Sequence, residues 1–143
     1  MKEAYISAFH EVVVETIDST GFDLPTEITS YIIMLLASRV EQNPLPDPNF
    51  AIAFLNLSRP ADQKAKELGD TCLFVSSVYP KFGEHRGLNR RYYQDIGSTS
   101  YDLFAEKHNP ELFNPLSRHF AYVSNFISLV VSSPKLPPNI LFQ

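Results

Sequence analysis

Apolar residues recur along most of the chain at intervals of three and four residues, which is the period of an α-helix. Tyr5, Phe9 and Val12 begin this pattern. It predicts a first helix over about residues 3–18 and a second over about residues 26–42. Gly21 lies just after the first of these helices, and glycine readily adopts the left-handed conformation that ends many helices.

Prolines and glycines mark the boundaries between the later segments. The remaining predicted helices span about residues 49–57, 60–79, 89–108 and 110–132, with Ser58 as a candidate N-cap. We therefore expect an all-α, single-domain bundle of five or six helices without a sheet. The helical domain covers residues 1–133, and residues 134–143 form a proline-rich tail. The tail ends in Leu-Phe-Gln, which is either native or the remainder of a cleaved tag.

Composition narrows the class of protein. The 143 residues include 44% apolar and 20% charged residues, as in an ordinary globular domain. The single cysteine, Cys72, cannot form a disulfide within the chain. The N-terminus lacks the basic and apolar parts of an export signal, and no apolar run approaches the roughly 20 residues that cross a bilayer. We expect a cytoplasmic protein without a membrane segment.

Charge is distributed unevenly along the chain. The net charge of -4 argues against nucleic-acid binding. Residues 1–30 contain six acidic residues and one lysine, whereas the basic residues of the segment 81–91 are Lys81, Arg86, Arg90 and Arg91, against Glu84. This asymmetry favours an interaction with a protein, including a second copy whose acidic first helix meets the basic segment.

The best candidate binding residues lie in and after the basic segment. Arg86, Arg90, Arg91, Tyr92 and Tyr93 combine guanidinium groups with tyrosines, and both residue types are enriched where proteins bind partners. Arginine also grips carboxylates and phosphates in a bidentate manner. Three arginines near a helix N-terminus oppose the helix dipole, so we expect a compensating acidic partner, within the chain or outside it. The alternative is a solvated helix start with one structural arginine.

Three further residues indicate either close packing or a pocket. Gly97 costs about 1 kcal/mol inside a helix, and a close helix crossing or a ligand is the usual reason for such a glycine. It lies four residues from both Tyr93 and Tyr101 on one helix face. Asp70 needs a charged partner or several hydrogen bonds if it is buried. An arginine of the basic segment is a candidate partner, and a ligand pocket is the alternative.

Catalytic and metal-binding motifs are not recognisable. The four histidines lack metal-ligand spacing, and Cys72 lies on an apolar helix face, where burial is the expected role. We expect no cofactor and no metal. The sequence favours a non-enzymatic interaction or regulatory domain with a basic and aromatic surface. A small-ligand-binding protein or enzyme with a pocket near Asp70 and Gly97 is the alternative, and nucleic-acid binding is disfavoured.

One resemblance adds to this interpretation. The residues that carry it are Leu68-Gly69-Asp70-Thr71-Cys72-Leu73-Phe74-Val75-Ser76, then Pro80, then Tyr92-Tyr93-Gln94-Asp95-Ile96-Gly97 and Tyr101. Together they resemble a segment of an uncharacterised family of all-helical bacterial proteins. The match covers about residues 65–105, and Ser77 stands where the family pattern has glycine. The resemblance implies a helical bacterial domain and carries no activity.

Overall fold

The computed structural model describes residues 2–40, 45–56, 62–137 and 140–141, and these residues form an all-α protein. No strand occurs within those ranges, in agreement with the predicted fold class. The α-helices in these ranges are α1 (Lys2–Thr20), α2 (Thr26–Arg39), α3 (Asp62–Val78), α4 (Arg90–Ala105), α5 (Pro110–Arg118) and α6 (Phe120–Val131), with 3₁₀ helices at Pro48–Asn56 and Glu84–Arg86.

The sequence pattern locates most helices within a few residues. Gly21 has φ +77° and its N–H donates to Ile17 O at 2.9 Å, as a left-handed helix end requires. The predicted short helix at 49–57 is a 3₁₀ helix instead of an α-helix. The predicted end of α2 at residue 42, the N-cap Ser58 and the start of α3 at residue 60 all lie outside the described residues.

The predicted last helix, residues 110–132, is wrong in one respect, because the structure divides it into α5 and α6. His119 interrupts the helical backbone with φ -109° and ψ 26°. Side chains on both sides of the break are held by α4: Ser98 bonds Ser117, and Phe120 packs over Gly97. Tertiary contacts therefore interrupt a helical period that continues in the sequence.

The helices group into two compact units. The first contains residues 1–45 and 125–143, and the second contains residues 46–124. The tail expected from residue 134 belongs to the first unit, where Leu136 and Leu141 are buried. Lys135 Nζ also donates to Glu15 Oε1 at 2.6 Å. The tail therefore packs back on its unit, and its final residues, 142 and 143, lie outside the described part.

The core of the first unit follows the apolar pattern of α1, α2 and α6. Phe22, in the loop after α1, packs against Phe126 of α6 with ring centroids 5.3 Å apart. The opposite face of α1 is exposed and acidic. The most completely buried side chains of this unit are Phe9, Val13, Ile32, Leu36, Phe126, Ile127 and Val130.

The second unit is built on the contact between α3 and α4. Gly69 faces Tyr101 and Cys72 faces Gly97, so the two helices run antiparallel. A Cβ atom at Gly69 would lie 2.5 Å from Tyr101 Cδ1, and one at Gly97 would lie 2.8 Å from Cys72 Cβ. Both glycines therefore allow a helix approach that a larger residue would prevent.

Cys72 has the packing role expected from the sequence. Its side chain is fully buried within the α3–α4 contact. Burial raises the pKa of the Cys72 thiol to about 12, because a thiolate is poorly solvated there. The thiol is therefore neutral near pH 7, whereas a reactive cysteine requires the thiolate.

Substitution of Gly97 by alanine tests this close approach. The added methyl group would contact Cys72 and the Phe120 ring, and overpacking of this kind costs about 1–3 kcal/mol. We expect this cost to exceed the gain of about 1 kcal/mol in helix propensity, so the free energy of unfolding in urea should fall. Thr99→Ala, at an exposed position of α4, is the matched control and should change stability little. A more stable Gly97→Ala protein would contradict the close contact.

Candidate functional site

Two of the predicted binding residues, Arg86 and Arg91, lie on the surface. Arg86 Nη2 is 3.7 Å from Asp47 Oδ2, and Arg91 Nε is 3.8 Å from Asp95 Oδ2. Both distances exceed the 2.7–2.9 Å typical of a strong charge-assisted hydrogen bond. The Arg91 side chain is 85% exposed, so its guanidinium group is accessible to a partner.

Arg90, in contrast, points into the second unit. Its Nε donates to Ser76 O at 2.7 Å, and its Nη2 donates to Ser124 Oγ at 3.2 Å. Ser77 Oγ donates to the same Ser124 oxygen at 3.1 Å. Ser76, Ser77 and Ser124 are all buried. Arg90 is thus the structural arginine that the sequence left as an alternative, and it connects α3, α4 and the start of α6.

Tyr93 does not belong to a binding surface, because its side chain is fully buried. Its hydroxyl donates to Pro48 O at 2.7 Å, and its ring stacks on Phe50 at a centroid distance of 5.6 Å. Burial raises the pKa of Tyr93 to about 12. Tyr92 is half-buried and packs edge-on against Tyr93 at 5.0 Å. Tyr93 therefore anchors the 3₁₀ helix at Pro48–Asn56, and Tyr92 packs beside it.

The start of α4 has a polar cap within the chain. Asn89 caps α4, since its side chain accepts a hydrogen bond from Tyr92 N at 2.8 Å. Asp95 lies one turn after Arg91 on the same helix, with its Oδ2 3.8 Å from Arg91 Nε. An external acidic partner is therefore not needed to form the start of this helix.

Asp70 and Tyr101 form a buried hydrogen bond. The Tyr101 hydroxyl donates to Asp70 Oδ1 at 2.7 Å, and Lys66 Nζ lies 2.9 Å from Oδ2. Lys66, one turn earlier on α3, is therefore a charged partner of Asp70. Close to this bond, Phe120 and Cys72 fill the space at Gly97. The geometry at these residues is that of a packed helix contact.

A surface groove is lined by Arg91 together with a residue that sequence reasoning missed. The groove has a volume of about 410 Å³ and lies on the exposed side of α4, α5 and the start of α6. Arg118, the last residue of α5, lines it and is exposed. The Arg118 side chain makes no hydrogen bond or ion pair with another residue in the described ranges. The other lining residues are Gln94, Asp95, Ser98, Ser117, Phe120 and Ala121.

Two serines hold the walls of this groove together. Ser98 Oγ donates to Ser117 O, and Ser117 Oγ donates to Ser98 O, each at 2.7 Å. Because the two bonds are reciprocal, they hold α4 and α5 at one spacing. Arg91 and Arg118 therefore project from a fixed support. We call this feature the Arg91–Arg118 groove.

A larger cavity, of about 630 Å³, lies in the first unit and contains none of the predicted site residues. Its walls include Glu15, Asp18 and Leu129. Lys135 already occupies its acidic side, and the hydrogen bond to Glu15 raises the pKa of Lys135. The cavity thus contains an internal ion pair.

The described residues contain no group of three metal-ligating side chains and no helix long and apolar enough to cross a membrane. Comparison of the chain with protein-family models, curated proteins and solved structures finds no match. The functional proposal therefore rests on the geometry of the site.

Replacement of Arg90 and Arg91 by methionine should separate their roles. Arg90→Met removes the hydrogen bonds to Ser76 and Ser124, and we expect a loss of about 1–3 kcal/mol of stability. Arg91→Met removes an exposed side chain and should change stability by less than about 0.5 kcal/mol. Urea unfolding of both variants measures the difference. Equal effects would contradict the structural role of Arg90.

Removal of the Tyr101 hydroxyl tests the buried bond to Asp70. Tyr101→Phe preserves the ring and leaves Asp70 Oδ1 without this donor, so we expect a loss of about 1–3 kcal/mol. Tyr122→Phe, at a position where the side chain is 41% exposed, is the control and should have a smaller effect. Thermal or urea unfolding measures both changes. Unchanged stability of Tyr101→Phe would show that the bond contributes little.

Proposed function

We propose that this chain is a cytoplasmic, non-enzymatic interaction domain that binds an acidic segment of a protein partner in the Arg91–Arg118 groove. The observation that carries the proposal is the accessibility of Arg91, which is 85% exposed and whose contact to Asp95 is long, at 3.8 Å. The exposed Arg118 on the same groove adds a second cation.

Guanidinium groups on a rigid support suit the recognition of carboxylates. Each can donate two parallel hydrogen bonds to one carboxylate, a geometry that lysine does not provide. The serine pair holds α4 and α5, so little backbone ordering accompanies binding. A carboxylate of the partner would compete with Asp95 for Arg91, which favours a partner with several acidic residues.

The proposal retains part of the surface predicted from the sequence and changes the rest. Arg91 remains in the binding site, Arg118 joins it, and Arg86 lies outside the groove lining. Arg90 and Tyr93 support the fold, as their buried contacts indicate. Tyr92 is half-buried against Tyr93, so it supports the fold as well.

The alternative of a ligand pocket near Asp70 and Gly97 has less support. The space next to Gly97 is filled by Phe120 and Cys72, and Asp70 is bonded to Tyr101 and Lys66. Membership in a bacterial helical family also remains a proposal. Arg118 lies outside the segment 65–105 that carries the resemblance, so the groove is not part of it.

Charge reversal in the groove tests the proposed function. Bait protein would capture partners from a lysate of the source cell; each captured protein would be identified, purified and titrated against the chain. We expect Arg91→Glu with Arg118→Glu to weaken binding at least tenfold, because the reversal replaces two attractive contacts by repulsion between like charges. Lys81→Glu with Arg86→Glu carries the same change in net charge outside the groove and should bind like the wild type.

Two outcomes would contradict the proposal. Equal weakening by both double variants would mean that binding follows the net charge and not the groove. Undiminished binding by the folded groove variant would place the interface elsewhere on the chain.

A further inference from the structure

One exposed face of α1 combines acidic, polar and apolar side chains at regular helical intervals. Ser7, Glu11, Val14 and Asp18 follow one another at intervals of four, three and four residues, so they share one face of the helix. All four are exposed. At a rise of 1.5 Å per residue, this face is about 16 Å long.

Val14 gives this face the composition of a small interface. Its side chain is 43% exposed, and it lies between the carboxylates of Glu11 and Asp18. Interfaces commonly have an apolar centre surrounded by a charged rim. The neighbouring Glu15 is bonded to Lys135, which also attracts Glu11 at longer range. Glu11 and Asp18 are the exposed carboxylates of this face that a partner would meet.

The Arg91–Arg118 groove has the complementary arrangement. Two exposed guanidinium groups supply positive charge, and the small, exposed Ala121 lies among the lining residues, where it leaves room for an apolar side chain. Asp95 is the acidic group in the lining, and it is already near Arg91. The groove thus offers two cations and a small apolar contact to a face with two carboxylates and a valine.

We propose that the acidic segment bound by the groove is helix α1 of a second copy of this chain. The inference rests on the proposed function, because it names the partner of the same groove. Glu11 and Asp18 of one copy would bind Arg91 and Arg118 of the other, with Val14 against Ala121. Different surfaces of the two copies meet, so the contact is heterologous.

Such a contact is weak and sensitive to salt. Charges on exposed side chains are screened over about 10 Å at 0.1 M ionic strength. Self-association should therefore increase with protein concentration and decrease as salt is added. Sedimentation velocity over a range of concentrations, at low and high salt, measures both effects.

Two charge-reversed variants make the test specific. The groove variant carries Arg91→Glu and Arg118→Glu, and the face variant carries Glu11→Lys and Asp18→Lys. Each variant alone places like charges at the contact, so we expect its dissociation constant to rise at least tenfold. An equimolar mixture should associate again, because each reversed surface then meets an oppositely charged one. Glu67→Lys with Glu106→Lys has the same change in net charge as the face variant and should associate like the wild type.

Circular dichroism of each variant would establish that it is folded before the sedimentation experiment. A mixture that remains monomeric, or a face variant that associates like the wild type, overturns the inference. A wild-type chain that stays monomeric at every concentration, yet binds a different acidic protein through Arg91 and Arg118, overturns only the self-association. Loss of all groove-dependent binding would overturn the proposed function as well.

Discussion

The close antiparallel contact between α3 and α4 is the constraint on which the second unit depends. Gly69 and Gly97 lack the side chains that would separate the two helices, and Tyr101 and Cys72 occupy the space that they leave. This approach positions the Tyr101 hydroxyl to bond Asp70, a buried carboxylate that also pairs with Lys66 and is stabilised by such polar partners. The same face of α4 receives Phe120, so the start of α6 is set by the glycine at position 97. Gly69 and Gly97 thus influence where four larger residues lie, namely Asp70, Cys72, Tyr101 and Phe120.

Buried polar groups add directional contacts to this packing. Arg90 bonds the main chain of α3 through Ser76 and the side chain of Ser124 in α6. On the outer side of α4, the reciprocal bonds between Ser98 and Ser117 hold α5. Apolar contacts alone are not directional, whereas hydrogen bonds favour one alignment of neighbouring helices. These contacts also shape the Arg91–Arg118 groove, because the groove lies where α5 ends and α6 begins.

Some of the predicted basic residues are bonded within the fold and others are exposed, and exposed ones form the candidate site. Neighbouring arginines have opposite environments: Arg90 is bonded within the unit, and Arg91 is largely exposed. Successive residues of a helix point about 100° apart, so adjacent positions commonly differ in this way. A surface inferred from a run of similar residues therefore contains both structural and accessible members. Arg91 with Arg118 is the accessible pair, and the exposed acidic face of α1 is its counterpart in charge.

The helical period by itself determined the fold class, the approximate bounds of the helices and most core positions, because apolar residues at intervals of three and four must share a buried face. It also indicated the packing role of Cys72, and Gly97 as a close crossing or a ligand site. The break at His119 could not be predicted, since contacts of α4 with Ser117 and Phe120 accompany it. The partners of Asp70, the burial of Tyr93 and the placement of Arg91 and Arg118 on one groove were likewise decided by tertiary structure. Residues 91 and 118 are distant in the sequence, and only the packing of α5 on α4 brings them to one groove.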